Sequence, residues 1–414
     1  MAARLSERGQ VPPFRAMDIL KDVERLHSSG RETFLLCLGQ PATPAPTPVL
    51  EAAELALRHD SLGYTASNGT IQLREHIAQH YLDEYSARVD PADIVITTGS
   101  SAAFTAIFLA AFEAGDTVAM TRPGYPAYRN TLRSLGCRVH ELDCGPQTRW
   151  QPSVQQLDEL ASTQGAPAGL IIASPANPTG TVLGAQELAA ICEWCDEHGT
   201  LLISDEIYHG IVYGSRCSSA TRFAHHGRSQ QSNVTVGSFS KYHSMTGWRL
   251  GWAVLPRELV RPVELLLGNL NLSAPTLSQL AAPAAFSAAA DIELTEHVRR
   301  YAVNRQIVVD RLAELGISGE QLAPADGAFY CWADVSGFTA DSALWCAELL
   351  DATGVAVTPG IDFAENVLVG ADGSPVEGEY RDPALDGSRY VRISFAGSTE
   401  EVSEGMRRLV AFAR

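Results

Sequence analysis

The chain of 414 residues is 45% apolar and 19% charged, and its 31 basic against 48 acidic side chains leave a formal net charge of −17. That acidity excludes a nucleic-acid or anionic-membrane surface as the main partner, because both need concentrated positive charge. No run reaches the roughly 18 apolar residues of a membrane-crossing helix, the N-terminal MAARLSERGQVPPF lacks the apolar core of a secretory signal, and eight scattered cysteines lack the spacing of a disulfide scaffold, so a reduced, cytoplasmic protein is expected.

The first 46 residues are proline-rich around LGQPATPAPTP and are expected to pack with the C-terminal part of the chain. From there, apolar runs bounded by turn residues alternate with longer amphipathic stretches. The strand candidates are DIVITTG, TVAMTRPGYP, GLIIASPANPTG, TLLISDEIY, VTVGSFSK and RLGWAVLP. Helix candidates between them are SSAAFTAIFLAAFEAG, AYRNTLRSLG and GAQELAAICEWCDEHG, the first and last ending at glycine. Such alternation predicts an α/β fold with a parallel, doubly wound sheet. Within the last helix Cys192 and Cys195 form a C-x-x-C, but no second pair or histidine cluster completes a tetrahedral zinc site, so both read as buried thiols and no metal centre is expected. From about residue 291 a long amphipathic helix is expected, and GAFYCWADV and SRYVRISFAG read as strands of a smaller α+β unit. The expected division is 1–46 as an arm joined to the small unit, 47–290 as the large domain and 291–414 as the small C-terminal domain.

In an open α/β sheet, ligands bind outside the carboxyl ends of the strands. There DIVIT is followed by Thr98, Gly99, Ser100 and Ser101 opening a helix, which reads either as a phosphate seat or as a plain N-cap. GLIIASP leads into a turn carrying Asn177, able to donate to a ligand ring. TLLIS ends at Asp205, which reads as a helix cap or as a buried carboxylate needing a cationic partner, for which a protonated pyridine nitrogen would serve. Lys241 follows an apolar strand and is one of only two lysines, Lys21 being the other. A lysine whose surroundings lower its pKa is a nucleophile toward carbonyls, and Arg249 offers a planar fork suited to phosphate.

Taken together these residues resemble the aminotransferase class I/II family of pyridoxal 5′-phosphate enzymes, fold type I. The resemblance runs from FRAMDIL and LGQPATPAP through GYTASNGTIQLREHIAQHY, TTGSSAAF, RPGYPAY, SPANPTGT, SDEIYHGIVYG and SFSKYHSMTGWRLGW to VTPGIDF and YVRISFAG, essentially the whole chain. It implies a large cofactor-binding domain with a mostly parallel seven-stranded sheet between helices, and a small domain built from both termini. It implies that Lys241 forms the Schiff base with the cofactor and then shuttles the substrate Cα proton, while Asp205 keeps the pyridine nitrogen protonated. Asn177 and Tyr208 would bond the ring 3′-oxygen, and Tyr125 would stack on the ring. Ser100, Ser101, Ser238 and Arg249 would hold the phosphate, with Ser240 in a weaker role. Arg392 would pair with the substrate α-carboxylate, helped by the backbone near Gly39. Tyr64 would reach the phosphate of a neighbouring subunit in a homodimer with shared active sites. Lysine cannot be replaced by arginine here, since a guanidinium stays protonated and forms no imine.

Two departures stand out. His243 occupies a position where the family usually has Phe or Tyr, and reads as an aromatic filler or as a second proton carrier. The segment 364–389 is longer than usual and holds six acidic against two basic residues, so it is a surface hairpin or a lid favouring a cationic substrate. The activity implied is ping-pong transamination between an α-amino acid and a 2-oxo acid. The alternative is a lyase, replacement or cyclisation reaction of the same fold, for instance on S-adenosylmethionine. Ser238 to Lys241 also satisfies the S-x-x-K of serine acyl hydrolases, but with only Lys21 remaining no K-T-G element can exist. A regulator built on the same fold would need a DNA-binding segment and basic patch that this sequence lacks.

Overall fold

The computed structural model describes residues 6–214, 216–223, 233–365 and 382–414; most of the long acidic segment, including Asp372, Glu377, Glu379 and Arg381, lies outside them. In chain order the strands are β1 (Phe34–Leu35), β2 (Ile94–Thr97), β3 (Thr117–Arg122), β4 (Arg138–Asp143), β5 (Gly169–Ala173) and β6 (Leu201–Asp205). They continue as β7 (Asn233–Ser238), β8 (Gly251–Val254), β9 (Tyr330–Asp334), β10 (Val355–Ala356), β11 (Thr358–Pro359) and β12 (Tyr390–Ser394).

Seven strands form the main sheet in the order β2-β8-β7-β6-β5-β3-β4. Strands β3 to β7 pair in parallel, whereas β8 runs antiparallel to both neighbours, so the doubly wound sheet is mixed at one side. The unbroken apolar runs follow from burial on both faces, which parallel strands require. With a period of two, Ile171 of β5 packs against Phe104 and Phe108 of the helix Gly99–Ala111 on one side. Leu170 and Ile172 pack against Leu157 and Ile191 of the helices Val154–Gln164 and Ala185–His198 on the other. Each such side chain taken fully from water is worth about 1.5–3 kcal/mol.

Helix ends follow local chemistry. Ser153 and Gln156 form a capping box at the start of Val154–Gln164, and Gly199, at φ +66°, closes Ala185–His198 as glycine should. The helix Gly99–Ala111 does not run to Gly115 as its sequence suggested. Phe112 turns extended to bury its ring, and the freed Glu113 N–H is taken by Asp116 Oδ2 at 2.8 Å. The long helix spans Ala288–Ala313, opened three residues early by Ser287, whose hydroxyl accepts from Ala290 N–H.

Beside the main sheet, β11-β12-β9 make a small antiparallel sheet. The N-terminal segment joins it through β1, which pairs in parallel with β10, and through Ser394 N–H donating to Leu36 O at 2.8 Å. No helix among the described residues is long and apolar enough to cross a membrane. All eight cysteines are free, and Cys192 and Cys195 are buried.

Candidate active site

Residues just after the carboxyl ends of β5 and β6 meet side chains of β9 and β12. From one side come Asn177, Asp205, Tyr208 and Lys241; from the other, β12 brings Arg392 to within 2.8 Å of Asn177 Oδ1.

Lys241 sits in the turn after β7, and its Nζ donates to Gly39 O at 2.7 Å and lies 5.9 Å from the centre of the Tyr208 ring. Burial, then the positive charges of Arg392 and Arg249, push its pKa down to about 8 against the opposing pull of Asp205. At pH 7.5 roughly a quarter of such an amine is neutral, against about 0.1% for an ordinary lysine.

Asp205 ends β6 and is 4% exposed. Its oxygens accept from the Tyr128 hydroxyl and from Ile207 N–H at 3.1 Å, so among the described residues hydroxyl and amide donors satisfy it, with no cation in contact. Burial raises its pKa to about 6, while those donors and Lys241 pull it back toward the ionised form. An ionisable carboxyl and an amine each shifted toward neutrality mark this as a candidate site for chemistry.

Arg392, 3% exposed, reaches three acceptors: Asn177 Oδ1, Cys37 O at 2.6 Å and Thr358 Oγ1 at 3.2 Å. Its guanidinium lies 4.4 Å from the Tyr330 ring centre and 4.7 Å from that of Phe363. Its Nε has no partner among the described residues. A buried cation so framed needs an anion to complete it.

The residues expected to hold a phosphate include Ser100 and Ser101 at the start of the helix Gly99–Ala111, where free N–H groups and the helix dipole favour an anion. Gly99 has φ +71° and any Cβ there would overlap the Arg249 guanidinium; a Cβ on Gly251 would stand 2.8 Å from Ser100 N. Both glycines thus let Arg249 and Ser100 close on one cradle. Ser101 is exposed at the same helix start, whereas Ser238 and Ser240 are buried at the end of β7 and just after it, linked by Ser240 N–H donating to Ser238 Oγ at 3.0 Å. Tyr125, between β3 and the helix Pro126–Ser134, packs edge-on against Phe14 with centroids 5.9 Å apart. Tyr64 takes no part in these contacts and is 84% exposed.

His243 is buried among Phe239 and Phe286, with ring centroids 5.0 and 5.5 Å away. Burial holds its pKa down to about 3, so it is uncharged near neutrality. A cavity of about 660 Å³ lined by His80, Glu206, His209 and His243 adjoins the site through Ser238, although Lys241, Asp205 and Arg392 do not line it.

Sequence reasoning passed over Tyr128, Tyr330, Thr358 and Phe363. Their signal was present: Tyr128 lies three residues beyond Tyr125 at a helix start, and Tyr330 and Phe363 close the motifs GAFY and GIDF.

The family description "Aminotransferase class I and II" matches residues 31–409. A protein of Mycobacterium tuberculosis named valine–pyruvate aminotransferase is 46% identical over 410 residues, 99% of this chain and 98% of that protein. A Methanocaldococcus jannaschii protein named (5-formylfuran-3-yl)methyl phosphate transaminase is 31% identical over 399 residues, 96% of each chain. The crystal structure of an aminotransferase from Mycobacterium tuberculosis superimposes with a TM-score of 0.90 at 44% identity, covering 99% of both chains. With matches across almost its whole length, the chain belongs to the aminotransferase class I and II family, fold type I enzymes dependent on pyridoxal 5′-phosphate that move an amino group between an amino acid and a 2-oxo acid.

Proposed function

We propose that this chain holds pyridoxal 5′-phosphate at Lys241 and exchanges amino groups between an apolar α-amino acid, with valine the first candidate, and a 2-oxo acid such as pyruvate. The observation that carries the proposal is the short stretch Cys37–Gly39: Lys241 Nζ rests on Gly39 O and Arg392 on Cys37 O, so one piece of backbone spaces the reactive amine from the carboxylate clamp.

The donor set fits the cofactor. The cradle of Ser100, Ser101 and Arg249, backed by Ser238 and more weakly Ser240, would take its phosphate; Asp205 would take the pyridine N–H; Asn177 and Tyr208 would donate to the 3′-oxygen, and Tyr125 would cover the ring. When bound, the ring supplies an electron sink for charge at the substrate Cα. Lys241 Nζ would take the substrate Cα proton as general base and would return it as general acid on the other side of the exchange. Arg392 fixes the substrate carboxylate by a charge-assisted pair, and Asp205 keeps the pyridine nitrogen protonated.

Two observations support an apolar, monocarboxylic substrate. Tyr330 and Phe363 flank Arg392, and the other two arginines buried among the described residues, Arg122 and Arg129, are already matched by Asp143 and Glu141 at 2.8 and 2.9 Å. The name of the 46% identical Mycobacterium tuberculosis relative points the same way. In this account the enzyme is a cytoplasmic homodimer in which Tyr64 completes the neighbour's phosphate site, with 47–290 as the cofactor domain and 1–46 joined to 291–414 as the small domain. Incubation with ¹⁵N-valine, pyruvate and cofactor, followed by mass spectrometry, should show the label in alanine. Label moving only from aspartate or glutamate would overturn the substrate class, and label released as ammonia would overturn transamination.

A further inference from the structure

Tyr330 touches both halves of the site. At the start of β9 it is 1% exposed. Its ring faces the Arg392 guanidinium at 4.4 Å, and its hydroxyl stands 2.7 Å from the Tyr208 hydroxyl. That hydroxyl also packs so tightly on Gly39 that any Cβ there would overlap it, and Gly39 O is the acceptor of Lys241 Nζ. Gly39 is therefore required for close approach, not for backbone conformation.

Two phenols share one hydrogen bond here, and either can donate. If Tyr208 donates to Tyr330, its only proton is spent and it can offer a ligand oxygen no hydrogen bond. If Tyr330 donates, Tyr208 keeps its proton for the site. Among the described residues the Tyr330 hydroxyl has no other hydrogen-bond partner competing for its proton, whereas Tyr208 would face the cofactor oxygen.

We propose that Tyr330 is a positioning residue with two separable parts: its hydroxyl donates to Tyr208 and so aims the Tyr208 proton at the cofactor 3′-oxygen, and its ring holds the Arg392 guanidinium in the plane that receives the substrate carboxylate. The proposal rests on the assignment of Tyr208 and Arg392 given under the proposed function.

The two parts come apart in two variants of the holoenzyme. Tyr330→Phe keeps the ring and loses the donor: cofactor affinity of the apoprotein, read by fluorescence quenching on titration with pyridoxal 5′-phosphate, should weaken about two- to tenfold, with KM for the amino acid within about twofold of wild type. Tyr330→Leu also loses the ring, and KM for the amino acid should rise a further three- to thirtyfold or so. Unchanged cofactor affinity in Tyr330→Phe, or a Tyr330→Phe KM raised as far as that of Tyr330→Leu, overturns the proposal. If Tyr330→Leu fails to fold, the affinity and KM of Tyr330→Phe decide alone. Tyr208→Phe in the same titration separates this from the underlying assignment: if it leaves affinity unchanged, Tyr208 is not the cofactor donor and the assignment itself has failed.

Discussion

Replacing Arg392 by alanine removes a guanidinium that is 3% exposed, bonded to Asn177, Cys37 and Thr358, and framed by Tyr330 and Phe363. A charge-assisted bond to a substrate carboxylate is worth about 1.5–3 kcal/mol, or on the order of ten- to a hundredfold in affinity. Removal of the charge also relieves the second-largest influence depressing Lys241, so its pKa should rise from about 8. The sign is fixed: without the nearby cation the protonated amine is less disfavoured, and a neutral Lys241 appears only at higher pH. The assay compares valine with isobutylamine, which lacks the carboxylate. The variant should lose about ten- to a hundredfold in kcat/KM for valine and little for the amine, and covalent uptake of cofactor by the apoprotein should need a higher pH than in wild type. Equal losses for both donors would show that the carboxylate binds elsewhere and that Arg392 acts through the fold.

Glu206, buried and unused by the site, has its pKa raised to about 8 by burial, from 4.5. The folded protein keeps that proton where the unfolded chain has lost it, so stability should fall as pH rises from about 5 to 8. Glu206→Gln should flatten that part of the urea-unfolding profile, and parallel profiles would refute the buried-proton account. Gly251→Ala would place a Cβ 2.8 Å from Ser100 N, and cofactor affinity should drop about tenfold or more, measured by dialysis; an unchanged value would show that this helix start does not hold the phosphate. Mixing inactive Lys241→Ala with a severely impaired Tyr64→Ala protein should restore up to about a quarter of the wild-type activity, because half the dimers are mixed and each regenerates one intact site; no recovery on subunit exchange would place Tyr64 outside the neighbour's site.

The reactive half of the site was legible because short motifs at strand ends carry it. Asn177, Asp205 and Lys241 each follow an apolar run that could only be a buried strand, and the parallel topology brings those ends together. The antiparallel β8 was not legible, because RLGWAVLP has the same apolar pattern in either direction. Nor was the partner of Asp205. Its donor within the protein, the Tyr128 hydroxyl, lies 77 positions away in sequence, and nothing in a local window marks that pairing. Arg392 meets Cys37 O across 355 positions, so the spacing of clamp and amine belongs to the tertiary fold alone. The early end of the helix at Ala111 was missed because burying Phe112 outweighs the pull of a later glycine.

The central claim is that Lys241 is the amine that holds the cofactor. The chain has two lysines, so borohydride reduction of the purified holoenzyme followed by peptide mapping gives an unambiguous result. The pyridoxyl group is predicted on Lys241, the half-buried lysine whose pKa is pushed down to about 8. A pyridoxyl group on Lys21, which is 76% exposed and paired with Asp18 at 2.8 Å, or on neither lysine, would contradict it.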